Sequence, residues 1–314
     1  MFAAAKFASC QRTSYTVYHY EDKLQNMNVF TLADGAHQLA KSVTDREWLE
    51  LLIASIHAPI IRGVRMPRFP EDRIQRDMVG SAGEHALREA FLFWREAKAY
   101  FNGLSARPLN ECDVLDFGCG WGRYTRLFLK DTPPDRIVGV DVDPEFVALS
   151  AQLLSGVKFS VVTALPPTDL PANHFDLIYA YSVFSHLSEY AHQAWIHEFA
   201  RVVKAGGLIV VTTHSRSFVD FCASLREKHT YETAWHANLA RCFIDVESVK
   251  RDYAEGRFLY AATGGGGPRD CTFYGEAVVS PAYVQRRWTA DFEVCDFVDD
   301  ARRCPQAMIV ARRK

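Results

Sequence analysis

The sequence has no CxxC pair; its eight cysteines are scattered along 314 residues. That spacing excludes paired-thiolate metal sites and, in a chain of this length, argues against a disulfide framework. The cysteines read as buried thiols of a cytosolic protein. No apolar run approaches the roughly 18 to 20 residues of a bilayer-spanning helix. The opening "MFAAAKFASC" is interrupted by Lys6 and is too short for the apolar stretch of a secretion signal. An excess of one charge is also missing, with 36 Lys plus Arg against 38 Asp plus Glu. Nothing global therefore draws the chain to nucleic acid or to an anionic membrane, and the basic end "ARRK" is a short solvated tail. Repeats are absent, and Gly264 to Gly267 is the one low-complexity tract. What remains is 48% hydrophobic and 24% charged, the composition of a soluble globular chain that buries a core. Its length allows one large domain or two smaller ones.

The first third of the chain lacks a strand rhythm. "DREWLELLIASIH" (45–57) spaces Trp48, Leu51, Leu52 and Ile56 as a helix does. "RMPRFPEDRIQRDMVGSAG" (65–83) reads as a loop, with two prolines. Gly83 to Gly103 reads as a long amphipathic helix with Gly103 as its stop. From Cys112 the pattern becomes strand and helix in alternation. "CDVLDFG", "RIVGVDVD", "VKFSVVT", "FDLIYAYS" and "LIVVTTHS" are strands; "RYTRLFLKD", "PEFVALSAQLLSG" and "SEYAHQAWIHEFARVVKAGG" are helices. Apolar strands alternating with helices imply a parallel sheet covered on both faces, the doubly wound α/β class. The alternation breaks after His214, and residues 215–270 read as an insertion. The helix "SPAYVQRRW" and the strands "DFEVCDFVD" and "QAMIVARR" close the chain. Their short link permits only antiparallel pairing, so the last strand should run against the rest.

One stretch carries chemistry. "VLDFGCGWGR" (114–123) puts glycines at 118, 120 and 122 directly behind a strand. A Gly-rich turn between strand and helix forms a nucleotide-type site at the strands' C-terminal edge. The dinucleotide pattern GxGxxG would need a third glycine where Arg123 stands. Asp116, two residues before Gly118, would repel a pyrophosphate and suits a cationic ammonium group. Asp141, closing the next strand, can accept from both hydroxyls of a ribose. A ribose without phosphate, joined to a charged amino-acid part, describes S-adenosylmethionine (SAM).

"VLDFGCGWGR", "VGVDVDPEF" and "FDLIYAYSVFSHLSE" resemble the Rossmann-like class I SAM-dependent methyltransferases. The last of these, with the terminal "FEVCDFVDDARRCPQAMIV" and the early "MPRFPEDRIQRDMVGSAGEHALREA", is similar to bacterial members acting on small molecules or glycans. The resemblance implies a seven-stranded sheet with its last strand antiparallel. It implies that Gly118, Gly120 and Gly122, with the flanking Phe117 and Cys119, line the methionine part of SAM, and that Asp116 orients the turn and the ammonium group. Asp141 would hold the ribose, Val142 would pack on one adenine face, and Ala164 and Leu165 would flank the adenine. Tyr181 would touch the cofactor through its backbone. No side chain in "VVTALPP" matches the frequent acidic or amide reader of the adenine amino group.

Several residues keep two readings at this point. Arg123 either pairs with the methionine carboxylate or is a solvated first-turn arginine. Asp143 reads foremost as the N-cap of the helix at Pro144. His186, in "SVFSHL" past the fourth strand, is the candidate general base, since histidine takes a proton at neutral pH. Its alternative is a structural histidine bonded to a backbone carbonyl. His214 reads as a loop residue, and Gly264 to Gly267 as a loop near the substrate mouth.

The expectation is a cytoplasmic SAM-dependent methyltransferase with S-adenosylhomocysteine (SAH) as product, a small-molecule or glycan-type acceptor, no metal, no nucleic-acid or membrane partner, and a monomeric or homodimeric state. The alternatives are an NAD-dependent oxidoreductase and a catalytically silent scaffold. Residues 1–105 are expected as a mostly helical cap, and 106–314 as the methyltransferase core with 215–270 as its lid.

Overall fold

The computed structural model describes residues 32–314; the opening "MFAAAKFASC" lies outside the described residues. The described residues open with four helices, α1 (Leu32–Lys41), α2 (Asp45–Ser55), α3 (Asp72–Val79) and α4 (Gly83–Leu104). Thr44 and Glu47 form a reciprocal cap at the start of α2, which satisfies two backbone N–H groups that the helix leaves free. Helix α3 corrects the sequence reading of 65–83 as a loop. Its weak apolar pattern is offset by Gln75, which is 1% exposed. The Gln75 carboxamide donates to the Pro70 carbonyl at 2.8 Å and accepts from the Gly83 N–H at 3.0 Å, tying both flanks of the helix together. Gly80, at φ 76°, ends it. Helix α4 passes through the expected stop at Gly103 and ends one residue later.

The seven-stranded sheet comprises β1 (Val114–Phe117), β2 (Ile137–Asp141), β3 (Lys158–Val161), β4 (Phe175–Ala180), β5 (Val203–Thr213), β6 (Phe292–Val298) and β7 (Ala307–Arg313). Their order is β6-β7-β5-β4-β1-β2-β3. Strands β1 to β5 are parallel to one another, and β7 is antiparallel to both neighbours, β5 and β6. This is the doubly wound α/β, Rossmann-like fold with a reversed last strand that the sequence implied. After β1 the helix α5 (Thr125–Phe128) is only four residues long. Helices α6 (Pro144–Leu153) and α7 (Glu189–Val202) follow β2 and β4. "KAGG", expected to end α7, lies within β5. It bulges between the pairs Phe175–Val203 and Leu177–Leu208, a shape that the left-handed Gly206 at φ 76° permits.

The N-terminal helices pack on the sheet. Trp48 and Leu52 of α2 and Leu87 and Trp94 of α4 share one core with Val114, Tyr179, Val210 and Met308 of the sheet. With α5 so short, α2 and α4 supply the layer that covers this face. On the other face Trp195 and Phe199 of α7 pack with Leu115, Ile178 and Ile309. The excursion after β5 also extends beyond the expected 215–270. It holds α8 (Phe218–Leu225), α9 (Ala234–Leu239), α10 (Val246–Ala254) and an antiparallel hairpin of Leu259–Ala261 with Glu276–Val278. Helix α11 (Pro281–Arg287) then starts on Ser280, whose hydroxyl accepts from the Tyr283 N–H. No helix of the described residues is long and apolar enough to cross a membrane.

Candidate functional site

The sheet reverses its strand order between β1 and β4, and such a switch point opens a crevice at the strands' C-terminal ends. The glycine turn follows β1, Asp141 ends β2, Ala164 and Leu165 follow β3, Tyr181 to His186 follow β4, and His214 follows β5. All the sequence-identified residues therefore share one edge.

The turn is shaped for close approach. Gly118, Gly120 and Gly122 have φ of 76°, 52° and 75°, a region that residues with a Cβ enter at a cost. A Cβ would stand 2.3 Å from Val183 at Gly118, 2.4 Å from Met78 at Gly120 and 2.2 Å from Leu154 at Gly122. The turn is braced from beneath. The Gly118 and Cys119 N–H groups donate to the Val140 carbonyl at 2.8 and 3.0 Å, and the Ser150 hydroxyl donates to the Gly120 carbonyl at 2.6 Å. Arg126, fully buried, donates to the carbonyls of Gly122, Trp121 and Arg68 at 3.0, 3.2 and 3.1 Å. Its guanidinium lies against the rings of both Phe69 and Trp121, 4.3 and 4.7 Å from their centroids. Burial pulls its pKa down to about 9. Sequence reasoning missed Arg126; its only signal was a charge inside the apolar "YTRLF".

Asp116 is 2% exposed and accepts the Thr125 hydroxyl at 2.5 Å. Burial raises its carboxyl to about 7, against the opposing pull of that hydrogen bond. Asp141 accepts from the Gly120 N–H at 2.9 Å with one oxygen and from the Asp143 N–H at 3.0 Å with the other. Two of a carboxylate's roughly four acceptor positions are thus used and two are left. Burial raises this carboxyl as well, and both backbone bonds oppose it. Asp143 caps α6 through the Glu145 N–H and also pairs with Arg269 at 3.3 Å. That pair lays the Gly264–Gly267 loop beside Asp143, just past the end of β2.

Other predicted residues take mixed places. Arg123 is 6% exposed and lies over Tyr124 and Tyr181 at 4.9 and 5.3 Å, so it is not a solvated arginine. Tyr181 packs on Phe93 and Tyr124. The Phe117 ring faces the core, 4.4 Å from Trp195, and Cys119 is buried against Gly139. Val142 is half-buried next to Asp141. The Ala164 carbonyl accepts from Trp195 at 3.0 Å and the Leu165 carbonyl from Thr163 at 2.6 Å, which fixes the shape of that loop.

His186 sits beside the turn through Val183, the residue lying on Gly118, whose carbonyl accepts the His186 N–H at 2.9 Å. His186 Nδ1 lies 2.8 Å from the Gly275 carbonyl and 3.4 Å from Glu276. His214, read from sequence as a loop residue, is buried and bonds to the same carboxylate at 2.7 Å. Glu276 was missed, because "TFYGEA" offered only aromatics and a lone acid.

The site fits SAM. The turn's three glycines hold left-handed backbone that a Cβ would disturb, the acid before it is buried, and the acid after β2 keeps acceptor capacity.

Residues 114–207 match the family described as "Methyltransferase domain". Malonyl-[acyl-carrier protein] O-methyltransferase of Paenibacillus sp. (strain JDR-2) is 27% identical over 46% of this chain and 55% of its own length. Trans-aconitate 2-methyltransferase of Azoarcus sp. (strain BH72) is 32% identical over 34% of this chain and 42% of its own. The chain thus spans about half the length of these curated relatives or less. A solved S-adenosylmethionine dependent methyltransferase from Mesorhizobium loti is 14% identical, with TM-score 0.47 over 71% of this chain and 98% of its own. Residues 114–207, which span the first four parallel strands of the Rossmann-like sheet and the start of β5, are thus similar to methyltransferase domains.

Proposed function

We propose that this protein methylates a hydroxyl group of a small molecule or sugar-containing metabolite, using SAM and releasing SAH. One observation carries the reading: the left-handed glycine turn, the buried Asp116, the Asp141 carboxylate and His186 converge on one sheet edge. The backbone of Gly118, Gly120 and Gly122, with that of Phe117 and Cys119, holds the methionine part. Asp116 takes the ammonium group. Arg123, held over Tyr181, faces the carboxylate. Asp141 takes the ribose hydroxyls with its remaining acceptor positions, and Val142, Ala164 and Leu165 flank the adenine.

When bound, the cofactor supplies a methyl group already activated on a sulfonium. The chain's own task is alignment at close range and removal of the acceptor's proton. His186 is that base. The insertion covers the site and excludes water. The name of one relative, a trans-aconitate methyltransferase, supports a small acceptor. The near-neutral charge supports a protein without a nucleic-acid partner, and the scattered cysteines without a CxxC pair support a cytoplasmic one.

Calorimetric titration tests the cofactor, with SAH expected to bind and NADH not; tight NADH binding without SAH binding would overturn the reading. Methyl transfer from labelled SAM to a metabolite panel then tests the reaction. His186→Ala should lower turnover by about 100-fold or more while keeping SAH affinity, and full activity in this variant removes it as the base.

A further inference from the structure

The insertion hairpin does more than cover the crevice. Its segment 273–277 runs beside 185–188. The N–H groups of Ser188, Gly275 and Ala277 donate to the carbonyls of Phe273, His186 and Ser185 at 2.8, 2.7 and 2.7 Å. A Cβ on Gly275 would stand 2.2 Å from the Ala261 carbonyl, so this strand passes only as glycine. Against this frame the His186 ring stacks on Tyr274, with centroids 4.7 Å apart and planes at 8°.

A carbonyl only accepts, so the 2.8 Å contact to Gly275 puts the proton of His186 on Nδ1. Nε2 keeps its lone pair and has the Ser182 hydroxyl at 3.5 Å, a weak contact that an incoming hydroxyl can replace. Glu276, 1% exposed, stands behind Nδ1 at 3.4 Å. Its carboxylate also accepts from His214 Nε2 at 2.7 Å and from the Trp235 indole at 2.8 Å. The His214 ring lies flat on Phe218, with centroids 3.6 Å apart. Burial works to raise the Glu276 carboxyl, but the hydrogen bonds from His186 and His214 outweigh it and bring it down to about 2. The titratable groups that face His186 are Glu276 and Tyr274 of the hairpin and His214 after β5.

We propose that Glu276 and the Gly275 carbonyl, both delivered by the insertion hairpin, are the positioning groups of the base. They hold His186 as its Nδ1–H tautomer, with Nε2 open to the acceptor hydroxyl. This rests on, and deepens, the methyltransferase reading. In the step itself the acceptor O–H bond breaks and its proton passes to Nε2. The acceptor oxygen forms the new bond to the methyl carbon, and the carbon–sulfur bond breaks with its electron pair left on sulfur. The resulting imidazolium, held against the Glu276 charge, later gives its proton to solvent. Because the two positioning groups come from the hairpin, covering the site and arming the base are one event.

The ring nitrogens of His186 and His214 and a Glu276 oxygen lie within 4.8 Å of one another, as a metal's ligands would. The spacing favours hydrogen bonds. Two ligands about 2.0 to 2.1 Å from a tetrahedral ion stand about 3.3 Å apart, whereas His214 and Glu276 are at 2.7 Å.

Long-range proton–nitrogen NMR of histidine-labelled protein at about pH 8 reads the tautomer directly. His186 is expected as Nδ1–H in the wild type. In Glu276→Gln the Trp235 indole claims the amide oxygen and turns the NH2 group toward both rings, so His214 should flip to Nδ1–H and His186 should lose its uniform Nδ1–H state. Turnover should fall about 100-fold, with SAH affinity within about twofold of wild type. A wild-type His186 found as Nε2–H overturns the proposal without needing any variant. So does stoichiometric Zn2+ binding that shifts both ring signals, or a Glu276→Gln variant of full turnover. Failure of wild-type SAH binding would instead sink the methyltransferase reading.

Discussion

Asp116 offers a test in which stability and function move in opposite directions. Its carboxyl is 2% exposed, and burial raises it from 3.8 to about 7, with the nearby Asp141 charge adding to the rise. Between about pH 4 and pH 7 the folded protein keeps a proton here that the unfolded chain has lost. Stability therefore falls as pH rises through that window, by up to about 1.4 kcal/mol per pH unit. The gap accumulates to about 4 kcal/mol and stays constant above pH 7. Asp116→Asn removes the charge and keeps an oxygen to accept the Thr125 hydroxyl. Allowing about half the gain for imperfect amide fit, the variant should be more stable than wild type by about 2 kcal/mol at about pH 8, a Tm rise of roughly 4 °C. At about pH 4.5 the gain should shrink to about a quarter of that, about 0.5 kcal/mol, because most of the window in which the wild type loses stability lies above that pH. Calorimetric unfolding without ligand, at both pH values, checks this. The same variant should bind SAH at least tenfold more weakly, since the ammonium group loses its partner. A Tm change that is equal at the two pH values, or negative at the higher one, refutes the reasoning.

Other perturbations separate binding from packing. Asp141→Ala removes acceptors for the Gly120 and Asp143 N–H groups and for the ribose, and should weaken SAH by about 100-fold in calorimetric titration; unchanged affinity rules the ribose role out. Gly122→Ala combines left-handed strain with a Cβ 2.2 Å from Leu154 and should cost about 2 to 4 kcal/mol. Adding Leu154→Ala should remove the clash without removing the backbone strain, which denaturant unfolding of the single and double variants resolves. Arg126→Met strips a charged donor from three buried carbonyls and should destabilise by about 3 to 5 kcal/mol; a loss under about 1 kcal/mol by the same assay counts against the brace.

Much of the sheet was legible because its signals are local. A strand buried on both faces must be apolar along its length, as "VLDF" and "FDLIYA" are. A left-handed turn must spend glycines, and the three in "GCGWG" take positive φ. The short link before β7 dictated its reversal. Helix α3 was not legible, since a buried Gln75 rather than an apolar stripe holds it. The packing of α2 and α4 on the sheet was not legible for a similar reason. Whether a helix lies on the sheet depends on what else covers that face, and α5 turned out too short to do so.

The sequence by itself determined the strand and helix alternation, the glycine turn, and the spacing of Asp116 and Asp141 around it. Each is a matter of residues adjacent in the chain, where backbone conformation and side-chain pattern suffice. Tertiary structure alone decided the partners of His186. Gly275 and Glu276 lie 89 and 90 positions further on, and no periodicity links them to "SVFSHL". Only the hairpin's pairing against 185–188 brings the carbonyl and the carboxylate to Nδ1. The bracing of the glycine turn by Arg126 was decided in the same way, because a guanidinium is stable in the core only where folding gathers three carbonyls and two aromatic rings around it.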